Sequence, residues 1–386
     1  MSEVVLRRVT SSGSASNLVS IARKDGTPKK KKRVLVLLTG GTMAMQANGN
    51  GLLEPVAGYL AKCMRAMPEL RDAKMPGYEV LEYSPLLDSA DMGPTDWSTI
   101  AKDVATHHDL FDGFVVILGT DTMAYCASAL SFMLEDLAKP VVLTGSMVPF
   151  AEAYSDARHN LVLSLIFAAG VSQQPPTPPE VCIFFHDRLI RGCRASKVDA
   201  LGLAAFDSPR FPPLATVGVC VKDTFADNGL AWTGRILAPM LNMETGIVVL
   251  RLVPGFDDSA LLACFECPTL KAVVVELYGT GTAPSRRKGL VDALTAAKQR
   301  DLVVVATTQC QVGGVKIDVY AVGQALQDAG VISAGDMTTE AAATKLAYLF
   351  GKFPDKPGTV RTLFAVSLRG ELSDPGKYTR PFFEAH

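Results

Sequence analysis

Short, uninterrupted apolar runs alternate with segments of helical spacing along most of this chain, and that alternation constrains the fold more than any other feature. Residues 33–38, 114–118, 140–144 and 181–185 are strand-length and leave no room for a solvated face. Strands of that kind are covered on both sides, as in parallel sheets. Between and beside them, 56–67, 94–106, 121–135 and 159–169 read as helices, and a further strand is expected over 78–83. In 56–67 the apolar positions are Val56, Leu60, Cys63, Met64 and Met67, and the run stops before Pro68. Such alternation predicts a parallel sheet with helices on its faces. The pattern loosens over 208–245, around Ser208-Pro209-Arg210-Phe211-Pro212-Pro213 and Asp227-Asn228-Gly229. A second alternating run follows, with strands over 246–252, 271–277 and 302–307 and helices over 285–299, 320–329 and 339–350. The expectation is two α/β domains: a larger N-terminal parallel-sheet domain over 33–215 and a smaller flavodoxin- or Rossmann-like domain over 246–386. A connector over 216–245, carrying a strand or two, joins them, and a mobile basic tail over 1–32 precedes them.

Composition narrows the classes. The chain has 386 residues, of which 48% are hydrophobic and 20% charged, with 38 basic and 39 acidic side chains. A large core fits those proportions, and near-neutrality carries no global nucleic-acid or membrane-surface signal. The longest apolar runs fall far short of the roughly 20 residues that span a bilayer. The first twenty residues lack a sustained apolar segment followed by a small-residue cleavage site. Lys29-Lys30-Lys31-Lys32-Arg33 has two readings, a nucleic-acid or nuclear-targeting patch and a solvated run before the first strand; we read it as the latter. The eight cysteines are scattered, which argues against a disulfide framework. Cys264 and Cys267 form a CxxC with no second ligand pair, so free thiols on a helix face are expected rather than zinc.

Three strand ends carry glycine beside a hydroxyl. They are Leu38-Thr39-Gly40-Gly41-Thr42, Leu118-Gly119-Thr120-Asp121-Thr122 and Leu143-Thr144-Gly145-Ser146. Ligands of open parallel sheets bind at the carboxyl ends of strands. Glycine there admits close approach and frees backbone N–H groups as donors. The nucleotide motifs GxGxxG and GxxxxGK[ST] and the G-x-S-x-G elbow are missing. The five histidines (107, 108, 159, 186 and 386) lie away from these ends, and no metal-ligand cluster is visible. What remains is threonine, acid and lysine. A threonine hydroxyl is a weak nucleophile unless a neighbouring base takes its proton, and a lysine held in a charged network can be that base. The candidate network is Thr120, Asp121 and a lysine from a later segment.

These residues resemble the bacterial-type L-asparaginases, in particular their cytoplasmic (type I) branch. The resemblance runs from about Arg33 to Leu372. It is carried by Thr39-Gly-Gly-Thr42, Asp88-Ser-Ala-Asp-Met92, Gly119-Thr-Asp-Thr122, Leu143-Thr-Gly-Ser146, Arg194-Ala-Ser-Lys197, Tyr278-Gly-Thr-Gly281, Thr308-Gln-Cys310 and Leu368-Arg-Gly-Glu-Leu372. The resemblance implies hydrolysis of the side-chain amide of L-asparagine, with no cofactor and no metal. It implies a homodimer or homotetramer in the cytoplasm, with no nucleic-acid or membrane partner. Thr42 matches the family's nucleophile. Thr120 and Asp121 match its second threonine–acid pair, and Lys197 the lysine completing it. Asp121 matches the group that receives the substrate's α-amino end. Asp88 belongs to the substrate-binding block, in which Ser89, with backbone around Gly119, matches the α-carboxylate site. Ser146 stands where a backbone group meets the side-chain amide.

Three departures stand out. Relatives often carry a tyrosine shortly after the nucleophile, whereas residues 49–54 here read Gly-Asn-Gly-Leu-Leu-Glu, with no tyrosine before Tyr59. Tyr278 is either a substitute phenol from the second domain or a packed tyrosine. Ala90 stands where relatives have a polar side chain. Glu276 stands near where some members carry an effector-binding arginine. Two alternatives remain at this point: a catalytically weak asparagine-binding or sensor protein, and an asparaginase-like amidotransferase subunit. The segment before Arg33 is too short for the extra N-terminal domain of the latter.

Overall fold

The computed structural model describes residues 6–9, 16–20, 31–170, 176–284, 288–317 and 321–373. The chain divides into two compact units, one of residues 1–208 and 213–241, the other of 209–212 and 242–386.

The first unit is built on a ten-stranded sheet. Its strands are β1 (Leu6–Val9), β2 (Ser16–Ser20), β3 (Arg33–Gly40), β4 (Gly77–Leu87), β5 (Gly113–Ile117), β6 (Val141–Thr144), β7 (Val181–Phe185), β8 (Arg188–Arg191), β9 (Ala215–Val217) and β10 (Val221–Asp223). The spatial order is β1-β2-β4-β3-β5-β6-β7-β8-β9-β10. The five central strands β4, β3, β5, β6 and β7 are parallel neighbours, and antiparallel strands extend the sheet at both ends. Every residue of β5, β6 and β7 is buried, which is the signature of a sheet covered on both faces. Its helices of eight or more residues are α1 (Tyr59–Ala66), α2 (Pro94–His107), α3 (Met123–Met133) and α4 (Ala157–Ala169). In α3 all positions but one are buried, so it sits inside the unit rather than on its surface. The second unit carries a four-stranded parallel sheet of β11 (Ile247–Arg251), β12 (Ala272–Leu277), β13 (Val303–Thr308) and β14 (Ile332–Ser333), in that order. Its helices are α5 (Asp258–Phe265), α6 (Lys288–Gln299), α7 (Ala321–Asp328), α8 (Thr339–Lys352) and α9 (Pro357–Phe364).

Several elements differ from the pattern reading. The helix expected to run to 135 stops at Met133, because Leu134–Glu135 pairs with Ala238–Pro239. The strands expected in the connector are β9 and β10, but they lengthen the first sheet, and the first unit takes the chain as far as Leu241. In the expected tail, β1 and β2 form a hairpin on β4, while 1–5, 10–15 and 21–30, including Lys29 and Lys30, lie outside the described residues. The same holds for 285–287 and 320 of two expected helices. Periodicity missed α5, α9 and β8, which are short and flanked by turns. All eight cysteines are free thiols, Cys264 and Cys267 among them. Among the described residues no helix is long and apolar enough to cross a membrane.

A buried ion pair secures the C-terminal segment of the second unit. Lys345 of α8 and Glu371 are both fully buried, with Nζ 2.5 Å from Oε1. The ammonium also donates to Phe364 O at 2.8 Å and Val366 O at 2.6 Å. The carboxylate accepts the Leu368 and Arg369 N–H groups. Burial alone would raise the Glu371 pKa, but Lys345 and the two amide donors outweigh it and hold the group below its ordinary value. A carboxyl depressed in the folded state stabilises fully above its unfolded pKa, and that contribution fades as pH falls through the folded one. Glu371→Gln is therefore expected to lower stability at pH 7 by about 3–5 kcal/mol, by stranding a buried cation. Urea unfolding at pH 7 and at pH 4 checks this, and the deficit should shrink at the lower pH.

Candidate active site

Parallel pairing makes three strand ends level. Leu38 pairs with Ile117, and Ile117 with Thr144, so the chain leaves β3, β5 and β6 at the same edge of the sheet. The loops beyond those ends approach one another more closely than side chains allow. Gly41 has φ 85°, and a Cβ there would lie 2.3 Å from Gly119 N. A Cβ on Gly119 would lie 2.5 Å from Ser89 Oγ, and one on Gly145 would lie 2.5 Å from Leu118 O. Glycine at 41, 119 and 145 is thus what brings the three ends and the Ser89 turn into contact.

The hydroxyls at this edge divide into two groups. Thr39 Oγ1 donates to Ile117 O at 3.0 Å and Thr144 Oγ1 to Phe184 O at 2.9 Å, each tying its strand to a neighbour. Thr42 opens a short 3-10 turn (Thr42–Ala44) and is half-buried, and its hydroxyl has no partner among the described residues. Thr120 Oγ1 accepts from Lys197 Nζ at 2.9 Å, and Asp121 Oδ1 pairs with the same nitrogen at 2.7 Å. Lys197 arrives on a two-residue strand, Ser196–Lys197, paired with Phe206–Asp207. Its side chain is 19% exposed while that of Asp121 is 68% exposed, so the acid faces solvent and the amine does not.

Asp88 caps the Ser89–Asp91 turn, its Oδ1 accepting the Ala90 N–H at 3.0 Å. Thr122 Oγ1 donates to Ser89 O at 2.6 Å, which fixes that turn to the start of α3. Ser89 is buried against Gly119, while Ala90 is exposed. Ser146 is 1% exposed, and its hydroxyl has no partner among the described residues. The structure therefore gathers Thr42, Ser89, Gly119, Thr120, Asp121, Ser146 and Lys197 at one edge of the first sheet, with Asp88 beside them as a cap.

Tyr278 belongs to the second unit. It follows β12, packs against that unit's apolar core, and its hydroxyl is buried without a partner among the described residues. Residues 49–54, which lack the tyrosine, close a hairpin of Met45–Ala47 on Leu53–Pro55 that directly follows Thr42, and Leu52 and Leu53 are exposed there. Tyr59 starts α1. Burial and then a hydrogen bond with Cys63 raise its phenol pKa, and a hydrogen bond with Gln46, on the hairpin, opposes them. Sequence reading missed Asp156 and Asn160, which hold the loop after β6. Their signal was an Asp and an Asn four residues apart at the start of a helix. Among the described residues no group of three or more His, Cys, Asp or Glu is arranged to hold a metal ion.

Comparison with known proteins fits this geometry. Residues 33–226 match the family model "Asparaginase, N-terminal" and residues 246–364 the model "Glutaminase/Asparaginase C-terminal domain". The chain is 42% identical over 345 residues to L-asparaginase 1 of Escherichia coli, covering 89% of this chain and 99% of that one. It is 41% identical over 365 residues to a 60 kDa lysophospholipase of Mus musculus, of which the match covers 63%. Among solved structures, L-asparaginase I of Vibrio cholerae superposes with TM-score 0.81 at 40% identity, over 89% of this chain and 99% of that one.

Glycine at 41 carries a testable consequence. Gly51 has φ 75° with nothing within 4 Å of where a Cβ would stand, whereas Gly41 has a similar φ and a backbone against it. Gly51→Ala is expected to cost about 1–2 kcal/mol, the penalty of left-handed backbone alone. Gly41→Ala should cost clearly more and displace the Thr42 turn. Thermal unfolding of the two variants side by side checks the difference.

Proposed function

The chain belongs to the asparaginase family, and we propose that it hydrolyses the side-chain amide of L-asparagine to L-aspartate and ammonia through an acyl-threonine intermediate. The observation that carries this reading is Lys197 Nζ lying within hydrogen-bond reach of both Thr120 Oγ1 and Asp121 Oδ1, at the same sheet edge as the unpartnered Thr42 hydroxyl. Thr42 Oγ attacks the carboxamide carbon. The proton that Thr42 gives up is matched by the one the amide nitrogen gains as it leaves as ammonia, and water then cleaves the β-aspartyl ester, returning a proton to Thr42. Backbone N–H groups of the glycine-rich loops receive the developing oxyanion, each donor worth about 10²–10³ in rate. Lys197 donates to both Thr120 and Asp121, and once it has given up a proton it takes one from the Thr120 hydroxyl across the same contact. The exposed Asp121 carboxylate suits the substrate's α-amino group, and Ser89 with Gly119 its α-carboxylate. Ser146 takes the amide end.

A small zwitterion needs one carboxylate and several N–H or O–H donors, and this edge supplies both without a cofactor. The resemblance to the cytoplasmic branch supports a cytoplasmic location and a homodimer or homotetramer. Residues 49–54 supply no tyrosine to activate Thr42. Tyr278, the other phenol the sequence offers, packs against the core of the second unit with its hydroxyl buried. The same gap favours the rival reading, a catalytically weak asparagine-binding protein.

Ammonia release from L-asparagine, L-glutamine and D-asparagine separates the two. Turnover of L-asparagine by wild type and none by Thr42→Ala is the expected result. Tight asparagine binding without turnover by wild type supports the rival. Lys197→Met is expected to lower kcat by about 10²–10⁴, the range for loss of a positioned proton-transfer group.

A further inference from the structure

Ser146 is buried, yet its hydroxyl, its N–H and its C=O all lack partners among the described residues. Buried polar groups are almost always bonded, so a residue with three open groups points to a ligand. What holds Ser146 in that state lies at the start of α4. Asn160 Nδ2 donates to Gly145 O at 3.0 Å and to Asp156 Oδ2 at 3.1 Å. Asp156 accepts the Met147 N–H on Oδ2 and the Val148 N–H on Oδ1, both at 3.1 Å. Asn160 Oδ1 accepts the His186 N–H at 3.0 Å, which anchors the pair to the turn after β7. Asn160 is fully buried and its amide group is saturated by these contacts.

The consequence follows from peptide geometry. In a trans peptide the C=O and N–H point in opposite directions, and among the described residues the cis bond is Ser84–Pro85. In the plane joining Gly145 to Ser146, the C=O is turned to Asn160, so the Ser146 N–H is turned away. In the plane joining Ser146 to Met147, the N–H is turned to Asp156, so the Ser146 C=O is turned away. Two side chains one helical turn apart thus aim both backbone groups of Ser146 away from α4.

We propose that Asp156 and Asn160 are positioning residues that orient the two peptide planes flanking Ser146, so that its C=O accepts from, and its N–H donates to, the side-chain amide of the substrate. The inference rests on the assignment of Ser146 to the amide end in the proposed reaction. Neither residue touches substrate. They act through the loop, and misplacement of about 1 Å at such a site costs about 10²-fold in rate. Because the α-amino and α-carboxylate ends are held elsewhere, the loss should fall on kcat rather than on KM.

The test uses Asp156→Asn and Asn160→Asp, which keep size and shape but reverse hydrogen-bonding partners. Two readouts are taken: kcat and KM for L-asparagine, and hydrogen exchange at the Met147 and Val148 amides. The expected result is a fall in kcat of about 10²-fold in both variants, a KM within about three-fold of wild type and, in Asp156→Asn, loss of exchange protection confined to those amides. A merely structural role would instead lower the melting temperature and leave kcat per folded molecule unchanged. That outcome, or full activity in folded variants, overturns the proposal. If wild type itself releases no ammonia, the proposed reaction fails and the exchange readout decides alone: amides still protected in Asp156→Asn would overturn the positioning role.

Discussion

The contact on which the rest depends is between backbones, at Gly41 and Gly119. Adjacent parallel strands hold their axes about 4.8 Å apart, and loops leaving them ordinarily splay to make room for side chains. Here a Cβ at 41 has no space, so the loop after β3 lies directly on the loop after β5, and Ser89 closes on the other side. Thr42, Thr120, Asp121 and Ser89 are neighbours because of that missing atom. Thr39 and Thr144 reinforce it by tying their strands together from within, which frees later residues from structural duty.

The chemistry depends on this closeness. Lys197 arrives from a distant part of the sequence and touches two consecutive residues, Thr120 and Asp121. One contact is with a hydroxyl at the protected end of its side chain and the other is with a solvent-facing carboxylate. In the proposed reaction, a proton-handling group and a substrate-facing charge are thereby coupled through one amine. On the far side, Asp156 and Asn160 leave Ser146 open in a buried setting, where a hydrogen bond to a ligand is stronger than in water.

Much of this was legible in the sequence. The continuous apolar runs at 114–118 and 181–185 admitted no solvated face, and the strands found there are fully buried. The glycine–hydroxyl clusters marked the strand ends that the fold brings together, because glycine and threonine together at strand ends have a geometric meaning. What stayed hidden depended on long-range pairing. Leu134–Glu135 continued a helical pattern until Ala238–Pro239 claimed it as a strand. Asp156 precedes the helix expected over 159–169 and Asn160 lies in it, with nothing local to set them apart, since only the fold brings the Gly145 loop over them. Roles for the individual site residues rest on the resemblance, because spacing alone does not distinguish a nucleophilic threonine from a capping one.

The central claim is that Thr42 carries the acyl group. Acid-quenched turnover with L-asparagine, followed by peptide mass spectrometry, tests it most directly. An aspartyl adduct is expected on the peptide containing Thr42 and absent in Thr42→Ala. An adduct on the peptide containing Thr120, or undiminished ammonia release by Thr42→Ala, would contradict it.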